Sequence, residues 1–144
     1  MQLQWKELTG REELAGGYAV YADCMFMPTE EKYQRKMQAY LQDPAVKLYG
    51  CFCENALCGL LVLNLFPQGQ AELVGIAVAR DCRRQGIGRW MLRQVTETCA
   101  LRGLLAETDD DAVAFYRKTG FAVENRTEYY DGQPVTRYQC QWNK

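Results

Sequence analysis

The stretch Arg80-Asp81-Cys82-Arg83-Arg84-Gln85-Gly86-Ile87-Gly88-Arg89 decides the fold of this chain. An apolar run, Leu73 to Ala79, leads into it, and a helical pattern, Ile87 to Leu101, leads out. A strand feeding a glycine-containing turn that opens a helix is a common phosphate-binding device. The free N–H groups of the first helical turn point at the anion, and the helix dipole favours negative charge there. Gly86 and Gly88 let the backbone come close and take positive φ. Five arginines fall between positions 80 and 93 of a chain whose net charge is only −1. That local excess points to an anionic ligand such as a pyrophosphate.

Outward from this turn, a coarse element order emerges. Residues 2–8 alternate as a first strand, and residues 10–24 and 28–42 read as two helices, the second with Pro28 at its start and Pro44 beyond its end. Strands follow at 46–53 and 57–66 around the turn Glu54-Asn55-Ala56, and at Gln70–Ala79. After the helix 87–101 come a short strand, Leu104–Thr108, and an acidic-started helix, Asp109–Lys118, with Gly120 beyond it. Strands 121–130 and 134–142 flank Asp131-Gly132, a strong hairpin signal. The expectation is an α/β (α+β layered) fold. A mixed central sheet of about seven strands is flanked by about four helices, antiparallel at first and parallel where helices cross over.

Composition bounds the chemistry. At 144 residues and 48% apolar, the chain is one domain long, 1–144, and buries a core without disulfides or a structural metal. No 18-residue apolar run occurs, so no membrane span is expected. The start Met1-Gln2-Leu3-Gln4-Trp5-Lys6-Glu7 is unlike a signal peptide, and a cytoplasmic protein is the expectation. Seven cysteines, an odd number, are then expected to be reduced and to serve as small apolar residues. Cys51, Cys53 and Cys58 lack a CxxC spacing and no histidine accompanies them, so no metal site is expected. The absence of histidine also excludes Ser-His-Asp and Cys-His catalysis from this chain alone. The pI of about 5.5, with no broad basic face, argues against nucleic acid as a partner.

Two motifs carry a family resemblance. Arg83-Arg84-Gln85-Gly86-Ile87-Gly88 matches the pyrophosphate loop Arg/Gln-x-x-Gly-x-Gly/Ala of the GNAT superfamily of acyl-CoA-dependent N-acyltransferases. Ala112-Val113-Ala114-Phe115-Tyr116-Arg117-Lys118-Thr119-Gly120-Phe121 is similar to that family's second signature, a helix holding a tyrosine and ending in Gly-Phe. Upstream of both, Glu72 to Val78 resembles the family's central strand, and Gly75 within it fits a bend or a close approach. A dinucleotide fingerprint would need a third glycine, and a nucleoside-triphosphate loop would need Gly-Lys-Ser/Thr.

The resemblance implies acetyl-CoA as co-substrate, with no metal, and transfer of its acetyl group to a primary amine, that of a small molecule. Backbone of Ile76, Ala77 and Val78 would hold pantetheine, and Arg83, Arg84, Gln85, Gly86, Ile87, Gly88 and Arg89 the pyrophosphate. Tyr116 is the implied general acid. Glu72, or water it orients, is the implied base. Asp109 stands where the family often has a cofactor-binding asparagine, and serves the cofactor or caps the helix. Tyr21, Met25, Phe26, Met27, Glu30, Glu31, Tyr129 and Tyr130 are expected to line the acceptor side, and the final hairpin's aromatic residues offer a surface for a homodimer. Acetylation of a protein or peptide, and a non-catalytic acyl-CoA-binding module, are the alternatives.

Overall fold

The computed structural model describes residues 2–144; Met1, the first residue of the domain expected from sequence, lies outside them. The chain runs β1 (Leu3–Glu7), α1 (Arg11–Leu14), α2 (Tyr18–Tyr21), α3 (Glu30–Gln42), β2 (Val46–Cys53), β3 (Ala56–Leu65) and β4 (Gln70–Val78). It continues with α4 (Ile87–Thr98), β5 (Gly103–Thr108), α5 (Val113–Lys118), β6 (Ala122–Tyr130) and β7 (Gln133–Asn143). Single 3-10 turns occupy Ala22–Cys24 and Arg80–Cys82.

The seven strands form one mixed sheet in the order β1-β2-β3-β4-β5-β7-β6. Only β4 and β5 pair in parallel, joined by the α4 crossover; β6, reached through α5, runs in the same direction as β5 but is separated from it by β7. β3 is buried on both faces, as its unbroken run of leucine and valine demands. Leu61 and Leu63 pack with Met91 and Val95 of α4, while Leu60 and Val62 pack with Tyr33 and Met37 of α3. The helices thus cover opposite faces.

The expected helix over 10–24 is broken in two. Gly16 takes a left-handed φ of 81°, which ends α1 and turns the chain into α2. The sharper turn brings Tyr33 of α3 against Gly17, and the Tyr33 hydroxyl donates to the Leu14 carbonyl at 2.7 Å. The expected helix over 109–118 begins later, at Val113, because Asp109 folds the first residues into a turn. Both hairpin turns take the left-handed conformation that two-residue hairpins need, at Glu54-Asn55 and at Asp131-Gly132.

Two features of β4 prepare the site. The β3 pairing skips Val74, since Val62 faces Gly75 and Leu63 faces Leu73, so Val74 forms a bulge. The parallel pairing with β5 stops at Glu72 opposite Leu105, and the strands separate beyond it. Gly75 lies under Tyr21; an added Cβ would meet the Tyr21 hydroxyl and approach its ring carbons at 2.9 and 3.0 Å. Both readings of Gly75, a bend and a close approach, hold together. Gly75→Ala is expected to displace Tyr21 and cost about 1–3 kcal/mol in urea unfolding, the usual penalty of overpacking.

Candidate active site

The separation of β4 from β5 opens a cleft of about 880 Å³, walled by β4, the 83–89 loop, the start of α5 and the 3-10 turn at Ala22–Cys24. Along β4 the backbone alternates in direction. Ala77 faces Leu60 of β3, and the Ala79 N–H donates to the Cys58 carbonyl at 2.8 Å. Ile76 and Val78 therefore turn their N–H and C=O groups towards the cleft, where no strand pairs with them. Their carbonyls are met by side chains instead. The Cys24 thiol donates to the Ile76 carbonyl at 3.1 Å, and Arg83 Nε donates to the Val78 carbonyl at 2.9 Å. Ala77 belongs to the same stretch but faces the other strand.

At one end of the cleft the 83–89 loop enters α4. Arg84 and Gly86 both have positive φ, 64° and 79°, so N–H groups of neighbouring residues converge as in an anion-binding nest. The first intrahelical bond runs from the Trp90 N–H to the Gly86 carbonyl, which leaves the preceding amides of Ile87, Gly88 and Arg89 without helical partners. Gly88 has a packing role that sequence did not reveal. A Cβ there would lie 2.8 Å from the Phe115 ring, so its absence lets α5 close on the loop.

The arginines divide by task. Arg83 turns away from the loop towards Val78 and Asp23, and Arg89 donates to the Lys118 carbonyl at 2.8 Å, tying α4 to α5. Arg84 also lines the cleft, and among the described residues its guanidinium makes no hydrogen bond. Gln85 stands exposed at the loop's crest and is not part of the cleft wall.

Tyr116 projects from α5 into the cleft. It is only 6% exposed, packed edge-on against Phe115 and Phe121. Burial, first of all, pushes its hydroxyl above the ordinary tyrosine range, with smaller contributions from Cys24, Cys140 and Asp109 nearby. Asp109 is a cap: its Oδ1 accepts from the Asp111 and Ala112 amides at 3.0 and 3.2 Å, while the residue also lines the cleft.

Glu72 is not in this cleft. It sits on the α3 face of the sheet, opposite Leu105, and lines an adjoining hollow of about 280 Å³ with Glu107, Glu124, Gln139 and Gln141. Glu107 lines both spaces, so the two adjoin at the end of β5. The expected acceptor residues scatter. Tyr21 is in the core; Phe26 and Met27 are exposed; Glu30 and Glu31 engage Gln34 and Arg35 on the outer surface of α3. Tyr130 donates to Glu128 at 2.6 Å on the hairpin.

Asp23, Cys24, Thr108 and Arg137 line the cleft without having been singled out from sequence. No motif marks them, since each arrives from a separate element. Asp23 binds both Arg80, at 3.1 Å, and Arg83, at 2.7 Å, and these two guanidinium groups hold its carboxyl down at about 2. Cys51, Cys58 and Cys140 are core residues, with the Cys51 and Cys58 sulfurs 3.5 Å apart. A phenolate titration of the wild type minus that of Tyr116→Phe is expected to show no ionisation of Tyr116 up to pH 10, the ordinary tyrosine value.

Residues 14–121 match the acetyltransferase (GNAT) family. The uncharacterized N-acetyltransferase YhdJ of Bacillus subtilis (strain 168) is 28% identical over 138 residues, covering 85% of this chain and 94% of its own. The ribosomal-protein-S18-alanine N-acetyltransferase of Escherichia coli shares the fold with a TM-score of 0.79 at 18% identity, over 99% of this chain and 94% of its own. A GNAT acetyltransferase of Elizabethkingia anophelis, solved with acetyl-CoA bound, gives 0.71 at 19% identity, over 99% and 98%. With a sheet split between β4 and β5, an arginine-rich nest at the start of α4 and a match across three quarters of its length, this chain belongs to the GNAT family of N-acetyltransferases.

Proposed function

We propose that the protein transfers the acetyl group of acetyl-CoA to the primary amine of a small molecule, by direct attack in a ternary complex. The observation that carries this reading is the unpaired edge of β4 at Ile76 and Val78, which opens on one side to the α4 N-terminus and on the other to the Tyr116 hydroxyl. A pantetheine arm laid along that edge pairs as a strand would, and its pyrophosphate falls on the amides from Arg84 to Arg89 with the Arg84 guanidinium beside them. The Ile76 N–H then faces the thioester carbonyl and polarises it as negative charge develops on oxygen.

The amine nitrogen attacks the carbonyl carbon, the C–N bond forms, and the C–S bond of the tetrahedral intermediate breaks. Tyr116 donates its proton to the leaving sulfur, and the second proton that the attacking nitrogen loses on becoming an amide returns through water to the tyrosine. The amine must first be neutral, which at pH 7 costs about 4–5 kcal/mol for a lysine-like group of pKa ~10.4. Glu72, or water it orients, takes that proton, acting from the hollow beside the cleft rather than from within it. A cationic acceptor is supported by the same hollow, where Glu72, Glu107 and Glu124 meet and neither lysine nor arginine lines the wall.

The experiment is acetyl-CoA-dependent thiol release against polyamines, amino acids, aminoglycosides, arylamines and short peptides. Turnover is expected with a small cationic amine; turnover with peptides alone would replace the small-molecule reading. In Tyr116→Phe, kcat is expected to fall about 100-fold or more while acetyl-CoA binding stays within about twofold. Unchanged kcat would remove Tyr116 from the reaction, and saturable acetyl-CoA binding with no turnover across the panel would favour a binding module.

A further inference from the structure

Asp23 joins parts of the molecule far apart in sequence. It belongs to the 3-10 turn Ala22–Cys24, which ends the first helical segment and forms the wall of the cleft across from α5. Its two carboxylate oxygens are shared between Arg80 and Arg83, just beyond the end of β4. Arg83 makes its second bond, through Nε, to the Val78 carbonyl, and the neighbouring Cys24 thiol covers the Ile76 carbonyl. The turn is thereby fastened to the unpaired edge of β4 at both residues whose polar groups face the cleft. A ligand that pairs with this edge has to release the Arg83 and Cys24 bonds, and a ligand carrying phosphates competes with Asp23 for the arginines.

We propose that Asp23 is a positioning residue that couples cofactor arrival to the position of the acceptor-side wall. In the free protein it latches the 22–24 turn over the pantetheine edge. When acetyl-CoA occupies the edge, Arg83 leaves Val78, the two guanidinium groups turn to the phosphates, and the turn is released to form the wall the amine meets. This rests on the acetyl-CoA reading given above. Part of the binding free energy of the cofactor is spent on opening the latch, so apparent affinity is lower than the groove alone would give.

The two ideas separate in one calorimetric series with acetyl-CoA as the probe. Asp23→Asn is expected to bind acetyl-CoA at least about fivefold more tightly than the wild type, the lower end of typical coupling between sites. Asp23→Ala should do the same, and Asp23→Glu, which keeps the charge, should bind as the wild type does. In a background of Arg80→Gln and Arg83→Gln, adding Asp23→Asn should change nothing further. The Asp23 side chain is 42% exposed, so these substitutions leave the core untouched. A purely structural Asp23 would make the neutral variants bind more weakly or equally, and either result overturns the latch. Failure of the wild type to bind acetyl-CoA would instead overturn the proposed function.

Discussion

Everything at this site depends on two strands that stop pairing. β4 and β5 run parallel for three residue pairs, Gln70–Glu72 with Gly103–Leu105, and then part. An unpaired strand edge in the middle of a sheet is costly, because its N–H and C=O groups face a partly dry space without partners. The fold keeps it open by force on both faces. The Val74 bulge bends β4, Tyr21 presses down on Gly75 from the α2 side, and Tyr116 of α5 lines the cleft from the core on the other face. Each of these is a packing contact, so the gap is as rigid as the core that holds it.

The charges around the gap are arranged by the same geometry. The chain is nearly neutral overall, yet arginines crowd one end of the cleft, while Glu72, Glu107 and Glu124 share the hollow beyond β5. On the proposed reading, the anionic tail of the cofactor and a cationic acceptor are thereby drawn to different, adjoining spaces. Arg80, Arg83 and Arg89 are themselves held in place by carbonyls or by Asp23, which limits how far these side chains can reorganise before a ligand enters. Arg126 holds Glu107 and Glu128 together at 3.0 and 2.7 Å, so the acidic end is partly neutralised where the β6–β7 hairpin forms its outer rim.

The sequence revealed those parts whose signal is local. The glycine-arginine turn, the presence of a helix around Tyr116, the succession of elements along the chain and the Asp131-Gly132 hairpin each depend on neighbours within a few positions, and each was expected. Helix boundaries near Gly16 and Asp109 shifted because a left-handed glycine and an aspartate cap outweighed the apolar periodicity. What could not be read was convergence. Asp23 meets Arg83 across 60 positions of chain, and Cys24 meets Ile76 across 52. Glu72 shows the limit from the other side. Its position along β4 was legible, but the face it occupies follows from strand pairing and the nearby bulge, which put it beside the cleft.

On the proposed reading, in which Tyr116 is the acid, its burial sets the kind of acid it can be. A phenol held above its ordinary range is a weaker acid than a thiol, whose usual pKa is about 8.5, so complete transfer to a free thiolate would run uphill by about 2 kcal/mol or more. The proton is therefore most useful while the C–S bond is breaking, when charge gathers on a sulfur lying in the same desolvated space. There the thiolate is destabilised by the burial that weakens the phenol, which narrows the gap between them. A hydroxyl held above the ordinary tyrosine range stays protonated across neutral pH and is present there as a donor. Tightly packed aromatic rings on either side hold it in place, so little reorganisation is needed when the charge appears. Desolvation, which makes the unpaired edge of β4 expensive, is thus also what would make a single buried tyrosine an effective partner for the leaving sulfur in the proposed reaction.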